Sequence, residues 1–274
     1  MASCELRIGN NDLELEFSSL FATRNSQFAL LFLAGIGGGG LSAIAGGASF
    51  ITFPALMLSG LTPLAANTTN FVALLLAQPT ALATSYRGEL ATLGRRLIPS
   101  LISAAIGGAL GALLLLRTGE SGFARVVPWL MLGGTAMFAA GPTIRGAIAR
   151  RSDVPLHGNG IACQSLIFLF SIYTGFFGAG VGMMMLGVLS MFGYDNIHEA
   201  NTVKNAVIST SGAVATAIYG FSGPVAWPQA LIMGAGAVVG AYAGGIIAKR
   251  APQAILRVAL IGLGALFTGY LFWR

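Results

Sequence analysis

The chain reads as long apolar runs parted by short polar loops. No charged residue falls between Arg24 and Arg87, nor within 97–116, 126–144, 154–194, 205–248 or 258–273. A helix needs about 20 largely apolar residues to cross the hydrocarbon of a bilayer. Backbone polar groups at that depth must pair within their own segment, so such runs are predicted as helices rather than strands. The predicted segments are 28–60, 64–85, 97–116, 125–144, 159–193, 200–218, 227–248 and 254–273. The expected fold class is therefore an all-α polytopic membrane protein with about 8 hydrophobic segments. Residues 1–26 carry Glu5, Asp12, Glu14 and Glu16 and lack the basic-then-apolar order of a signal peptide, so they read as a polar N-terminal tail.

Comparison of the chain with itself reveals a repeat. Ala45-Gly46-Gly47-Ala48-Ser49 precedes Gly178-Ala179-Gly180-Val181-Gly182 by 133 residues. The same offset relates Gly60 to Gly193, Tyr86 to Tyr219, and the pair Gly107/Gly111 to Gly240/Gly244. Ala66-Asn67-Thr68-Thr69-Asn70 matches Ala200-Asn201-Thr202-Val203-Lys204 at 134. Several features in one order at nearly one offset indicate duplication. The expected organisation is a tail (1–26), a first transmembrane repeat (27–145), a basic connecting loop (146–158) and a second repeat (159–274).

Each half opens with an apolar stretch too long for one crossing and interrupted by its small-residue cluster. Glycine weakens a helix by about 1 kcal/mol relative to alanine, so a break is expected at Gly47 and Ser49 and again at Gly180 and Gly182. Paired Gly-interrupted segments in two halves are the sequence pointer to a transporter site. Gly107/Gly111 and Gly240/Gly244 read instead as close helix packing. Basic residues favour cytoplasmic loops. If 159–193 folds back, Arg87, Arg95, Arg96, Arg145, Arg150, Arg151, Lys249 and Arg250 share one side, against Arg117, Arg125 and Arg274 on the other. If it crosses fully, the division is seven to four. The fold-back arrangement is favoured, and it makes the repeats inverted.

Composition narrows the function. Hydrophobic residues make up 55% and charged residues 9%, against about 25% charged in a soluble domain. That excludes an ordinary soluble enzyme, a disordered chain and a nucleic-acid partner; the basic excess suits membrane loops. There is no phosphate-binding glycine loop, no HExxH and no Cys/His set with metal spacing. Neither catalysis nor a cofactor is expected. The expected environment is the bacterial inner membrane, crossed several times.

The predicted spans contain no Asp or Glu, which argues against a cation as substrate. Lys204 is the one basic residue well inside. Its neighbours at three and four residues, Ala200, Asn201, Val207 and Ile208, are not acidic, so its ammonium is expected to lack a local partner. A small anionic substrate in a wet cavity would satisfy it; reaching along the stem to the interface is the alternative. Asn201, Lys204 and Asn205 fall on one helical face. Asn67 and Asn70 occupy the matching face of the first repeat, followed by Gln78. Thr68, Thr69 and Thr202 add hydroxyls. Such groups donate to oxyanions, although hydrogen bonding between helices explains any one of them equally well. Ser209, Thr210 and Ser211 read as helix packing.

The order of a Gly/Ala cluster, then Phe50-Ile51-x-x-Pro54, Gly60, Ala66-Asn67-Thr68 and Tyr86 with Gly88, weakly repeated in the second half, resembles the TauE/SafE family of sulfite-exporter-like permeases. The resemblance spans roughly residues 28 to 273. Where that family shows a Gly-x-Gly-Gly-Gly run, this chain has the looser Ala45–Ser49 cluster, and Gly187 stands where a second proline would match Pro54. The resemblance implies a carrier for sulfite, an organosulfonate or another small organic anion, working by alternating access. An anion channel and a non-transporting membrane subunit are the rival readings. Proton or ion coupling, the direction of transport and homo-oligomer formation stay open at this point.

Overall fold

The computed structural model of the chain describes residues 24–44, 47–85, 94–149, 160–192, 194, 197–247 and 253–273, and every regular element among them is helical. In order these are α1 (Arg24–Ile44), α2 (Ser49–Leu58), α3 (Pro63–Ser85), a 3-10 turn (Gly94–Leu97), α4 (Ile98–Ala149), α5 (Ile161–Phe176), α6 (Val181–Met191), α7 (Ile197–Ser222), α8 (Trp227–Ile247) and α9 (Gln253–Trp273). The polar tail up to residue 23 and the loop residues 86–93, 150–159 and 248–252, with Arg87, Arg150, Arg151, Lys249 and Arg250 among the basic residues used to orient the halves, lie outside the described residues.

The predicted segment 28–60 is two helices, α1 and α2, and 159–193 is likewise α5 and α6. The predicted 97–116 and 125–144 are the two limbs of α4, two helices that meet at a kink at Gly119, whose φ of 67° and ψ of −178° are not helical. Arg117, Glu120 and Arg125 flank that kink. By length and composition, the stretch Ile98–Ala140, which runs across the kink, is the one among the described residues that is apolar and long enough to cross a bilayer. Ser49–Leu58, Ile161–Phe176 and Val258–Trp273 are apolar but shorter, while α3 and α7 carry the Asn/Thr clusters.

The first limb of α4 is built inside out relative to a soluble helix. Its large side chains Ile98, Ile102, Ile106, Leu110, Leu113 and Leu114 are exposed, whereas Ala104, Ala112 and Leu115 are fully buried. Gly107, Gly108 and Gly111 face the interior: a Cβ on Gly107 would lie 2.7 Å from the carbonyl oxygen of Phe168, and one on Gly111 would meet the backbone of Ile172 and Phe176. Small residues inward and branched apolar residues outward are what a helix in lipid requires, since lipid tails do not drive apolar groups inside.

The same construction recurs at the other end of the chain. Gly236, Gly240 and Gly244 of α8 press on the backbone of Phe32, Ile36 and Gly40 of α1, and Gly35 and Gly39 press back on Met233 and Ala237. The partners advance together by four, so α1 and α8 run parallel, as do α5 and the first limb of α4. Each half thus lends its opening helix to the fourth helical segment of the other half. The glycine pairs read from the sequence as packing residues are packing residues.

After Ile44 the chain turns back. A Cβ on Gly38 would lie 2.5 Å from Thr52 Cγ2, and one on Gly37 would lie 3.7 Å from Ile51 Cδ1. A continuous helix would set Gly38 and Thr52 about 21 Å apart at 1.5 Å per residue. The start of α2 therefore lies beside α1. In the second half Cys163 and Ile167, early in α5, share one buried cluster with Met185, Leu189 and Phe192, at the far end of the α5–α6 pair.

Candidate functional site

The second break is held by side chains that satisfy its carbonyls. Helix α5 ends as the N–H groups of Phe177 and Gly178 both bond to the Tyr173 carbonyl. Gly178 and Gly180 then take φ of +76° and +78°, a conformation glycine reaches at no steric cost. Such a turn leaves carbonyls without a helical partner. Three are recovered by side chains, two of them distant in sequence. Asn67 Nδ2 donates to Phe176 O at 3.0 Å, Tyr173 Oη donates to Ala179 O at 2.7 Å, and Tyr219 Oη donates to Gly175 O. Tyr219 is fully buried and packs its ring edge-on against Phe71, at 5.2 Å between centroids. At the described side of the first break, Thr52 Oγ1 donates to Ala48 O at 3.0 Å, and Asn70 Nδ2 donates to Ser49 Oγ at 3.2 Å.

Between the two breaks lies a cavity of about 80 Å³. It is lined by Ser49 at the start of α2, by Asn70, Phe71, Leu74, Leu75 and Gln78 of α3, by Thr174, Phe177 and Gly178 of the second break, and by Ile208, Ser209, Gly212 and Thr216 of α7. A water occupies about 30 Å³ of liquid, so the space suits a few waters or one small oxyanion. Ser209 Oγ donates to Gln78 Oε1 at 2.9 Å, tying α7 to α3. Asn70 Oδ1 and Thr216 Oγ1 are buried without a hydrogen-bond partner among the described residues. No charged side chain is among the described residues of the lining.

Of the residues nominated from the sequence, Ser49 and Asn70 line this cavity. Asn67 lies outside its lining; its amide holds the Phe176 carbonyl while its own Oδ1 has no partner. Thr68 Oγ1 donates to Pro224 O at 2.9 Å, and Thr69 Oγ1 accepts from the Ala226 N–H at 3.0 Å, so both fasten α3 to the α7–α8 turn. Gly47 is buried against Leu260, Phe50 and Phe138; Gly180 caps α6 against Gly134; Gly182 is buried in the first turn of α6. On α7, Asn201 and Asn205 are half-buried and Thr202 is fully buried.

The expectation that Lys204 lacks a local partner is corrected. Its Nζ donates to Asn201 Oδ1 at 3.0 Å, one turn nearer the start of α7, and only 7% of the residue is exposed. An amide oxygen serves a lysine as well as a carboxylate does in geometry, without neutralising it. Lys204 sits four residues before Ile208, so its backbone lies about 6 Å along the helix from the cavity lining.

Of three polar or small lining residues of α7, Ser209 was read from the sequence as helix packing, and the other two were not singled out. From Asn205 the positions four, seven and eleven residues on are Ser209, Gly212 and Thr216, and all three face the cavity. Continuing the helical stripe beyond the Asn cluster finds them. Thr174 and Phe177 had no such signal, because they reach the cavity through the turn that ends α5.

The family model for the sulfite exporter TauE/SafE matches residues 31–271. A Sinorhizobium protein described as "Probable membrane transporter protein ORF9" is 30% identical over 234 residues, 85% of this chain and 87% of its own length. A Haemophilus influenzae "Probable membrane transporter protein" is 28% identical over 243 residues, 88% of this chain and 92% of its own. "Probable membrane transporter protein YfcA" of Escherichia coli K12 is 24% identical over 258 residues, 94% of both chains. No solved structure matches the chain. With a match over most of its length and relatives of the same extent, the chain belongs to the sulfite exporter TauE/SafE family.

Proposed function

We propose that the chain is a secondary transporter that carries a small anion, one containing sulfur, across the bacterial inner membrane, with the central cavity as its binding site. The observation that carries this reading is the meeting of two helix breaks, one from each half, at one cavity whose mostly apolar lining also holds Ser49, Asn70, Gln78, Thr174, Ser209 and Thr216. Broken helices at membrane depth are tolerated where they line a cavity, and paired breaks mark carrier sites. The positive ends of the α2 and α6 dipoles, at Ser49 and after Gly178, favour negative charge there. Lys204, one turn before the lining, adds charge at the foot of α7, with Asn201, Thr202 and Asn205 around it on the same helix. The family description and the names of the relatives support transport and a sulfur oxyanion.

Two measurements test this. Purified protein in liposomes preloaded with unlabelled sulfite is expected to take up labelled sulfite faster than unloaded liposomes do. Uptake indifferent to the internal load means an anion channel, and no anion movement at all means a non-transporting subunit. The inverted arrangement places loops 86–96 and 249–253 on one side. Single cysteines at Leu93 and Ala251 are then expected to react from the same face of sealed vesicles, and reaction from opposite faces means parallel repeats.

A further inference from the structure

We infer that the cavity selects an anion that also carries a hydrogen-bond donor, such as a singly protonated or amino-bearing oxyanion, over one that can only accept. This rests on the reading of the cavity as the binding site. Its walls contain an acceptor with nothing to accept from. Asn70 is 2% exposed and lines the cavity; one N–H of Nδ2 goes to Ser49 Oγ at 3.2 Å, and Oδ1 has no partner among the described residues. Thr216, 8% exposed and also in the lining, holds a second unpartnered oxygen.

A buried acceptor left unmade forfeits its full desolvation cost, so an anion that displaces the cavity's water must supply a donor to recover it. The amide oxygen presents partial negative charge to whatever enters. A fully deprotonated oxyanion offers only oxygens and meets Asn70 Oδ1 as lone pair against lone pair. An anion bearing one O–H or N–H turns the same contact into a hydrogen bond, with the Thr216 oxygen as a second acceptor for that donor, while its remaining oxygens accept from Ser49 Oγ, whose own proton is left to donate. Two helix dipoles, with no charged side chain among the described lining residues, suit one negative charge better than two. Sites built around a polar partner reject the analogue that lacks it far more strongly than sites that only measure size.

Sulfamate and methanesulfonate isolate this term. Both are tetrahedral monoanions of similar size, and they differ by an NH₂ donor in place of a methyl group. Purified protein in nanodiscs is expected to bind sulfamate at least about tenfold more tightly than methanesulfonate, equivalent to about 1.4 kcal/mol. Asn70→Leu is expected to bring the ratio close to one by weakening sulfamate alone. Thr216→Val, a milder change on the opposite wall, is expected to reduce the ratio in part, which serves if the leucine variant does not fold. Equal affinities in the unmodified protein overturn the donor requirement and leave the anion site standing. Binding of neither probe overturns the site itself.

Discussion

Gly180→Ala is expected to destabilise the protein by about 2–5 kcal/mol and to abolish anion uptake, although it adds a single methyl group. Two independent costs meet at this residue. Its φ of +78° is left-handed, which costs a residue with a Cβ about 1–2 kcal/mol. That Cβ would also lie 2.6 Å from the carbonyl oxygen of Gly134 and 3.1 Å from its Cα. Both are backbone atoms in the second limb of α4, and overpacking a close-packed interior costs about 1–3 kcal/mol more. Gly134 cannot yield, because a Cβ there would itself lie 2.9 Å from Ala179 O. The matching residue of the first repeat serves as the control. Gly47 is not among the glycines with positive φ, and its added Cβ would meet Leu260 Cδ1 at 2.9 Å, the free end of a flexible side chain. Gly47→Ala is therefore expected to retain most of its stability and uptake. Thermal unfolding midpoints and uptake for the two variants check the contrast. A Gly180→Ala protein as stable and active as the unmodified one would show that the turn before α6 has no fixed geometry.

That difference between equivalent glycines shows what the sequence carries and what it does not. The breaks were legible because clustered glycines weaken any helix whatever surrounds them. The packing role of Gly107, Gly111, Gly240 and Gly244 was legible because spacing by four places them on one helix face. How the second break is held was not legible: Tyr173 Oη bonds Ala179 O, Tyr219 Oη bonds Gly175 O and Asn67 Nδ2 bonds Phe176 O. Asn67 and Phe176 lie 109 residues apart, and no local pattern pairs a carbonyl with so distant an amide. The same limit applies to Thr68 and Thr69. They were grouped with Asn67 and Asn70 by motif, yet their hydroxyls serve the α7–α8 turn. Glu120 is a further case. Read as part of a loop, it accepts from Thr62 Oγ1 at 2.7 Å and from the Leu64 N–H at 3.2 Å, capping α3 from across the bend in α4. A carboxylate at a helix start is favourable to both the orphan N–H groups and the dipole. Its partner is visible only once the fold brings residues 58 apart together.

Lys204→Met is expected to raise the thermal unfolding midpoint while cutting anion affinity about tenfold or more. The residue is almost wholly buried, and its ammonium meets the neutral Asn201 Oδ1. A neutral acceptor leaves a full positive charge in a poorly solvating interior, where a cation costs up to roughly 2.5–3.5 kcal/mol to insert, the figure for the centre of a membrane helix. Methionine keeps the length and apolar volume and removes that cost. If the charge serves the anion one turn further along α7, its loss costs about 1.5–3 kcal/mol of binding, the scale of a hydrogen bond to a charged group. That is roughly tenfold to more than a hundredfold in dissociation constant. Lys204→Arg keeps the charge but changes its geometry, so partial affinity is expected. The preference for sulfamate over methanesulfonate is expected to survive in the methionine variant, because it depends on Asn70 and Thr216 and not on net charge. A residue retained for its charge alone thus trades stability for affinity. If Lys204→Met gains stability and binds both probes as before, the ammonium serves only to reach Asn201 near the polar end of α7. The anion is then held by neutral dipoles alone.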